Sequence, residues 1–134
     1  MTSLLSKTLV AGTLASLISV SSAFAGGSLS ITLLPTNQDQ DNVMRAGLAM
    51  YSIVNGIQKG GGIKQKGFGN AAGVLQNGFG NHAVVHQEGN GHNGSVQQNG
   101  HNNSHGLFQF GRGTDGHVVQ NGNGRTGTTF QFGW

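Results

Sequence analysis

The side chains here with the means to do chemistry are six histidines, four carboxylates and a long series of glutamines. His82 and His86 stand four apart. That spacing gathers metal ligands on a helix but not on a strand and turn, and no Cys and few carboxylates accompany them. The histidines therefore read as solvated turn or surface residues, with no metal. Glu88 and Asp115 lie 27 positions apart, and no nucleophile, base and orienting group can be assembled around either. Gly89–Gly94, Gly111–Gly116 and Gly122–Gly127 all match the dinucleotide pattern GxGxxG. That pattern needs a strand before it and a helix after it to receive the pyrophosphate; here it is a by-product of a glycine period. No enzyme and no cofactor are expected. The glutamine amide remains, and its chemistry is simultaneous donation and acceptance of hydrogen bonds.

Those amides are strictly spaced. Gln65, Gln76, Gln87, Gln98, Gln109, Gln120 and Gln131 follow one another at intervals of eleven, and Gly67, Gly78, Gly89, Gly100, Gly111, Gly122 and Gly133 each stand two residues later. Around each Gln the unit alternates, as in Ala72-Val74-Gln76-Gly78, Ala83-Val85-Gln87-Gly89 and Gly94-Val96-Gln98-Gly100. Period two is the signature of a strand. The spacers Phe68-Gly69-Asn70-Ala71, Phe79-Gly80-Asn81-His82 and Asn90-Gly91-His92-Asn93 place Gly and Asn where a turn needs positive φ. Each unit is one strand and one tight turn.

Such units can form a meander or stack in pairs as the coils of a solenoid. The inward set is small: one Val-sized residue, one Gln, and Ala or Gly. It suits two closely facing sheets, and stacking would set Gln65, Gln87, Gln109 and Gln131 in one column and Gln76, Gln98 and Gln120 in another. Strands ~4.8 Å apart let each amide donate to the next, which offsets the cost of burying it. The expected fold is all-β: a two-sheet, amyloid-like β-solenoid of 11-residue units over 61–134, about three and a half coils. Composition agrees. Of 134 residues 25 are Gly, one is Pro and none is Cys, and hydrophobic residues make up 35%, against the usual ~45–50%. Neither a large core nor disulfides can hold the chain. A net charge of +3 from seven scattered Lys and Arg gives no nucleic-acid footprint.

The unit resembles the repeat of curlin, the subunit of bacterial curli amyloid fibres, which reads Gln-x-Gly-x-Gly-Asn-x-Ala-x-x-x-Gln. Gln65 to Gln76 matches every fixed position, and Gln76 to Gln87 matches again with Gly78, Gly80, Asn81 and Ala83. Later units replace Asn by His92, Thr114 and Arg125, and Ala by Gly94, His105, Gly116 and Gly127, which weakens the expected rungs without shifting their register. The resemblance implies a self-assembling extracellular, cell-surface fibre subunit of biofilm matrix. It also implies passage through the periplasm and an outer-membrane secretion channel with accessory chaperones, and a nucleator or companion curlin subunit.

Lys7, the apolar run Leu9–Val20 and Ala23-Phe24-Ala25 form a secretory signal, so residues 1–25 read as a leader cleaved after Ala25. The apolar run is too short to span a bilayer, which takes roughly 20 residues. Residues 26–60 lie outside the repeat. Ser28–Leu34 alternates like a strand up to Pro35. Asp39 and Asp41 precede apolar residues at helical spacing, with Asn55-Gly56 as a stop, which predicts a short helix; Tyr51, Ile53 and Val54 suit a strand equally. This segment either addresses the chain to its export machinery or caps the first coil.

Open strand edges recruit other chains, and the last six strands carry only Glu88, Arg112, Asp115 and Arg125 as charges. The expected function is therefore a homopolymer in which subunits join by strand addition and continue the Gln columns. His105 sits in a small inward slot, where a protonated imidazole would be costly. Residues 22 apart should stack, giving an outward aromatic patch of Phe108, Phe110, Phe130, Phe132 and Trp134. The alternative is a monomeric secreted β-solenoid that binds a glycan or other surface ligand. It calls for a flat Thr or aromatic array on every coil, whereas Thr126, Thr128 and Thr129 occur only in the last.

Overall fold

The computed structural model describes residues 18–20, 27–57 and 60–134. The expected leader lies outside them except for Ile18–Val20, which forms strand β1. The remaining elements are β2 (Ser28–Leu33), helix α1 (Gln38–Val54), and the repeat strands β3 (Gly61–Lys66), β4 (Ala71–Asn77), β5 (His82–Asn90), β6 (Asn93–Asn99), β7 (Ser104–Arg112), β8 (Asp115–Asn121) and β9 (Thr126–Gly133).

Odd and even repeat strands separate into two sheets, ordered β3-β5-β7-β9 and β4-β6-β8. Every neighbouring pair within this set is parallel and offset by 22 residues, so Gln65 pairs with Gln87 and Val74 with Val96. This is the expected two-sheet β-solenoid. Its core is narrow: Ala83, Val85, Val96 and Leu107 are fully buried, flanked by Ala72, Val74 and Val118. Fully burying a Val or Leu contributes about 1.5–3 kcal/mol. A set this small leaves much of the cohesion to hydrogen bonds between coils.

The corners show why the period tolerates so little variation. Gly89 has φ +122, and a Cβ there would lie 1.9 Å from the carbonyl oxygen of Gly111 one coil away. Backbone therefore stacks on backbone at this corner, and only Gly fits. Among the described residues the one non-Gly residue with positive φ is Asn102, at φ 60, where other coils use Gly80, Gly91, Gly113 and Gly124; Asn tolerates the left-handed region.

The N-terminal segment caps the last coil, not the first. β2 pairs antiparallel with β9, from Ser28 opposite Gly133 to Leu33 opposite Thr128, and β1 pairs along the outer edge of β2. After Pro35 the Asn37 side chain accepts from the Gln40 N–H at 2.9 Å, and Asp39 and Asp41 occupy the first turn. The helix is longer than expected, 17 residues, and resolves Tyr51, Ile53 and Val54 as helical. Met44, Leu48 and Ser52, spaced by four, are buried against the outer face of the odd-strand sheet. Leu48 seats over Gly106, where a Cβ would meet its Cδ2 at 2.5 Å. Ser52 Oγ lies 2.9 Å from His82 Nε2, and the Tyr51 ring meets Phe108 edge-on at 5.2 Å.

Candidate self-assembly site

Each repeat Gln points between the sheets because it shares a face with the residue two before it, Val or Leu in five of the seven units. Along the odd column, Nε2 of Gln65, Gln87 and Gln109 donates to Oε1 of the Gln 22 residues on, at 2.8, 2.8 and 2.7 Å. Gln76 and Gln98 do the same along the even column at 2.9 Å. After the first unit, an amide hydrogen also goes to a backbone carbonyl 16 residues back: Gln76 to Gly60, Gln87 to Ala71, Gln98 to His82, Gln109 to Asn93, Gln120 to Ser104 and Gln131 to Asp115, at 2.7–3.2 Å. A carbonyl only accepts, so these bonds fix which side of each amide is nitrogen. Both ladders therefore run in the same sense. Gln87, Gln98 and Gln109 are fully buried and satisfied, as a buried amide must be.

The replacement of Ala by Gly in later units has a purpose that the sequence did not reveal. A Cβ on Gly94 would lie 2.5 Å from Gln109 Oε1, and one on Gly116 would lie 2.6 Å from Gln131 Oε1. The missing methyl makes room for the amide ladder of the opposite sheet. These departures accommodate the rungs they were expected to weaken.

A second set of clamps stands at the corners, where the sequence suggested only turn formers. Asn81 accepts from the Asn103 N–H at 3.0 Å and donates to the Gly100 carbonyl at 3.0 Å; Asn103 repeats this with Arg125 and Gly122. Asn70 binds His92 N–H and the Gly89 carbonyl likewise. His92, at 1% exposure, continues this column: its Nε2 donates to the Glu88 carbonyl at 3.0 Å, and its Nδ1 accepts from the Thr114 hydroxyl at 2.7 Å. The recurrence of Asn five residues after Gln was the available signal.

His92 corrects the reading of the histidines as solvated, whereas His105 lies buried in the inward slot expected for it. His105 is 3% exposed, its Nε2 lies 3.1 Å from Thr129 Oγ1, and its Nδ1 has no partner among the described residues. Burial pushes its imidazole down to about 4. His82 is also lowered by burial, and burial raises the Tyr51 hydroxyl, which contacts His86. Among the described residues no three His, Asp or Glu gather in a group that could hold a metal.

The aromatic columns form, with Phe108 stacked on Phe130 at 5.2 Å and Phe110 on Phe132 at 5.6 Å. They face outward, but Tyr51 of α1 covers Phe108, so the open part of the patch is Phe132 at 38% and Trp134 at 50% exposure. Thr126, Thr128 and Thr129 are buried and offer no array to a ligand. The register sets Lys66 beside Glu88, but the ion pair among the described residues is Asp41–Arg45, and Glu88 Oε2 lies 3.5 Å from His86 Nε2.

The two ends of the solenoid are unlike. At the β3–β4 end, both strands are edges, and Gln65 and Gln76 present Oε1 atoms with no donor among the described residues. At the β8–β9 end, β8 is an edge and, among the described residues, Gln120 Nε2 donates only to Ser104. β9 is covered by β2, and Gln131 Nε2 reaches Ser30 Oγ at 3.5 Å.

Residues 60–89 match the family model described as the curlin-associated repeat. No curated protein and no solved structure matches the chain. The matched span holds the two units that carry the resemblance, Gln65 to Gln76 and Gln76 to Gln87. The chain thus carries a curlin-associated repeat within a two-sheet β-solenoid. No described helix is long and apolar enough to cross a membrane.

Proposed function

We propose that this chain is a secreted structural subunit that assembles head to tail into curli-like amyloid fibres, serving biofilm matrix and surface adhesion. The observation that carries the reading is the sense of the ladders: they end in free acceptors at the β3–β4 end and in the Gln120 donor at the β8–β9 end. A second copy placed one 22-residue step beyond β9 would lay its β3 against β9, with Gln65 accepting from Gln131. Main-chain bonds supply affinity in such strand addition, and the alternate side chains supply register. The same step sets Phe68, at 83% exposure, over Trp134 of the preceding copy. Export through a secretion channel with chaperones, and a nucleator or companion subunit, rest on the curlin resemblance alone.

The purified chain should become thioflavin-bright over hours and give fibres with a meridional spacing of about 4.7–4.9 Å. Gln87→Leu with Gln109→Leu keeps the volume and removes the ladder, and should slow assembly markedly. Asn77→Ser, on an exposed Asn ladder, should change it little. A β-rich protein that stays monomeric and dark would overturn the reading in favour of a monomeric binding solenoid, the alternative that a capped β9 favours.

A further inference from the structure

The head-to-tail joint just described requires the edge of β9, and in the folded chain that edge is taken. β2 occupies the place of the incoming β3: Thr32 stands opposite Thr129, where Ile63 of the next copy belongs, and Ser30 stands opposite Gln131, where Gln65 belongs. Ile31 and Leu29 similarly fill the places of Lys64 and Lys66 beside Phe130 and Phe132. The substitute is imperfect. It runs antiparallel in a stack that is otherwise parallel, and it meets Gln131 through a hydroxyl at 3.5 Å, where every Gln–Gln rung is 2.7–2.9 Å.

Beside this cap, sheet growth stops one strand short. β8 has no outer neighbour, and under its edge lies a cavity of about 890 Å³ between Val118–Asn121 and the Leu34–Asp41 connection, floored by Thr32, Thr129 and His105. The inward side chains of a further even-numbered strand would lie there. A copy whose β3 takes the edge of β9 carries its own β4 one strand beyond this slot, so the contest for β9 decides the joint.

We infer that β2 is an internal placeholder that restrains polymerisation by occupying the edge of β9 that the β3 of a second copy needs. The incoming β3 competes with β2 for β9. Backbone bonds are exchanged roughly one for one, so the full-length Gln131–Gln65 rung and the parallel register decide the outcome. This inference rests on the head-to-tail reading and adds its regulation. Every joint uses one capped end, so a chain whose cap cannot leave can make no joint of this kind.

The test uses a lock. Thr32 Oγ1 and Thr129 Oγ1 lie 3.2 Å apart on directly opposed residues, and the chain has no Cys of its own. Thr32→Cys with Thr129→Cys can therefore form one cross-strand disulfide. The oxidised protein should give no fibres, and the same sample should assemble after reduction. A second variant, Ser30→Pro with Ile31→Pro, removes β2 donors and cannot remain in register; it should shorten the lag relative to the unchanged chain. Oxidised protein that assembles as fast as reduced protein, or a proline variant no faster than the unchanged chain, would overturn the placeholder while leaving head-to-tail assembly standing. A lock variant that assembles in neither state leaves the decision to the proline pair. If the unchanged chain, the reduced lock and the proline variant all stay monomeric, the assembly reading fails and the placeholder with it.

Discussion

His105 is the residue whose environment departs furthest from its chemistry. Its imidazole is buried and its pKa is about 4, against an ordinary 6.5. Above 6.5 both folded and unfolded chains hold it neutral. As pH falls from 6.5 towards 4 the unfolded chain binds a proton that the folded one refuses, so stability declines through this window and levels off below it. The shift corresponds to a loss on the order of 3 kcal/mol. His82, lowered for the same reason but half exposed, adds in the same direction. His105→Ala leaves a cavity and should be less stable than the original at pH 7, yet lose less between pH 7 and pH 4.5. Urea midpoints at the two pH values measure this; equal losses in both proteins would mean that His105 is not the titrating group.

Among the elements, the strands and their register were legible in the sequence. A period of eleven with alternation of two leaves one way to bury Val74, Val96 and Val118 on one face. The corners were legible as turns but not as joints, because Asn is common in turns for local reasons and its contacts here are 22 residues away. Asn103 shows the difference: it is fully buried and binds both the Arg125 N–H and the Gly122 carbonyl. Asn103→Ala should cost about 1–3 kcal/mol by orphaning both groups, whereas a mere turn former would cost a few tenths. Thermal unfolding of the two proteins separates these outcomes. The docking of β2 and α1 was not legible. Their segment has no period, and what places it on the last coil is the fit of Leu48 over Gly106 and the pairing of Ser28–Leu33 with β9. The burial of His92 follows from the same kind of long-range closure, which residue type alone does not announce; that of His105 was legible from its inward place in the repeat.

At the scale of the whole molecule, the aromatic residues divide by what covers them. Phe108 lies under Tyr51, while Phe132 and Trp134 stay open beside the end where a second copy would add. Stacked aromatic pairs contribute about 0.5–1.5 kcal/mol beyond their buried area. Phe130→Ser with Phe132→Ser should therefore keep the β signature in circular dichroism but give slower elongation or thinner, less bundled fibres. Trp134→Ser should slow elongation without thinning them. Fibres unchanged in growth rate and width across these variants would reduce the aromatics to local strand stabilisers, the role strand propensity alone assigns them.

The uniform sense of the glutamine ladders has a consequence for accuracy. A copy that arrived inverted would bring its own Gln120 and Gln131 nitrogens towards the Gln120 and Gln131 nitrogens already there, and no hydrogen bond can form between two donors. Each buried amide left in that state would forfeit its partner in a low-dielectric interior, which is costly. In the proposed fibre the ladder would thus act as a proofreading device: an upside-down arrival would be disfavoured by its amides even where its apolar residues fit.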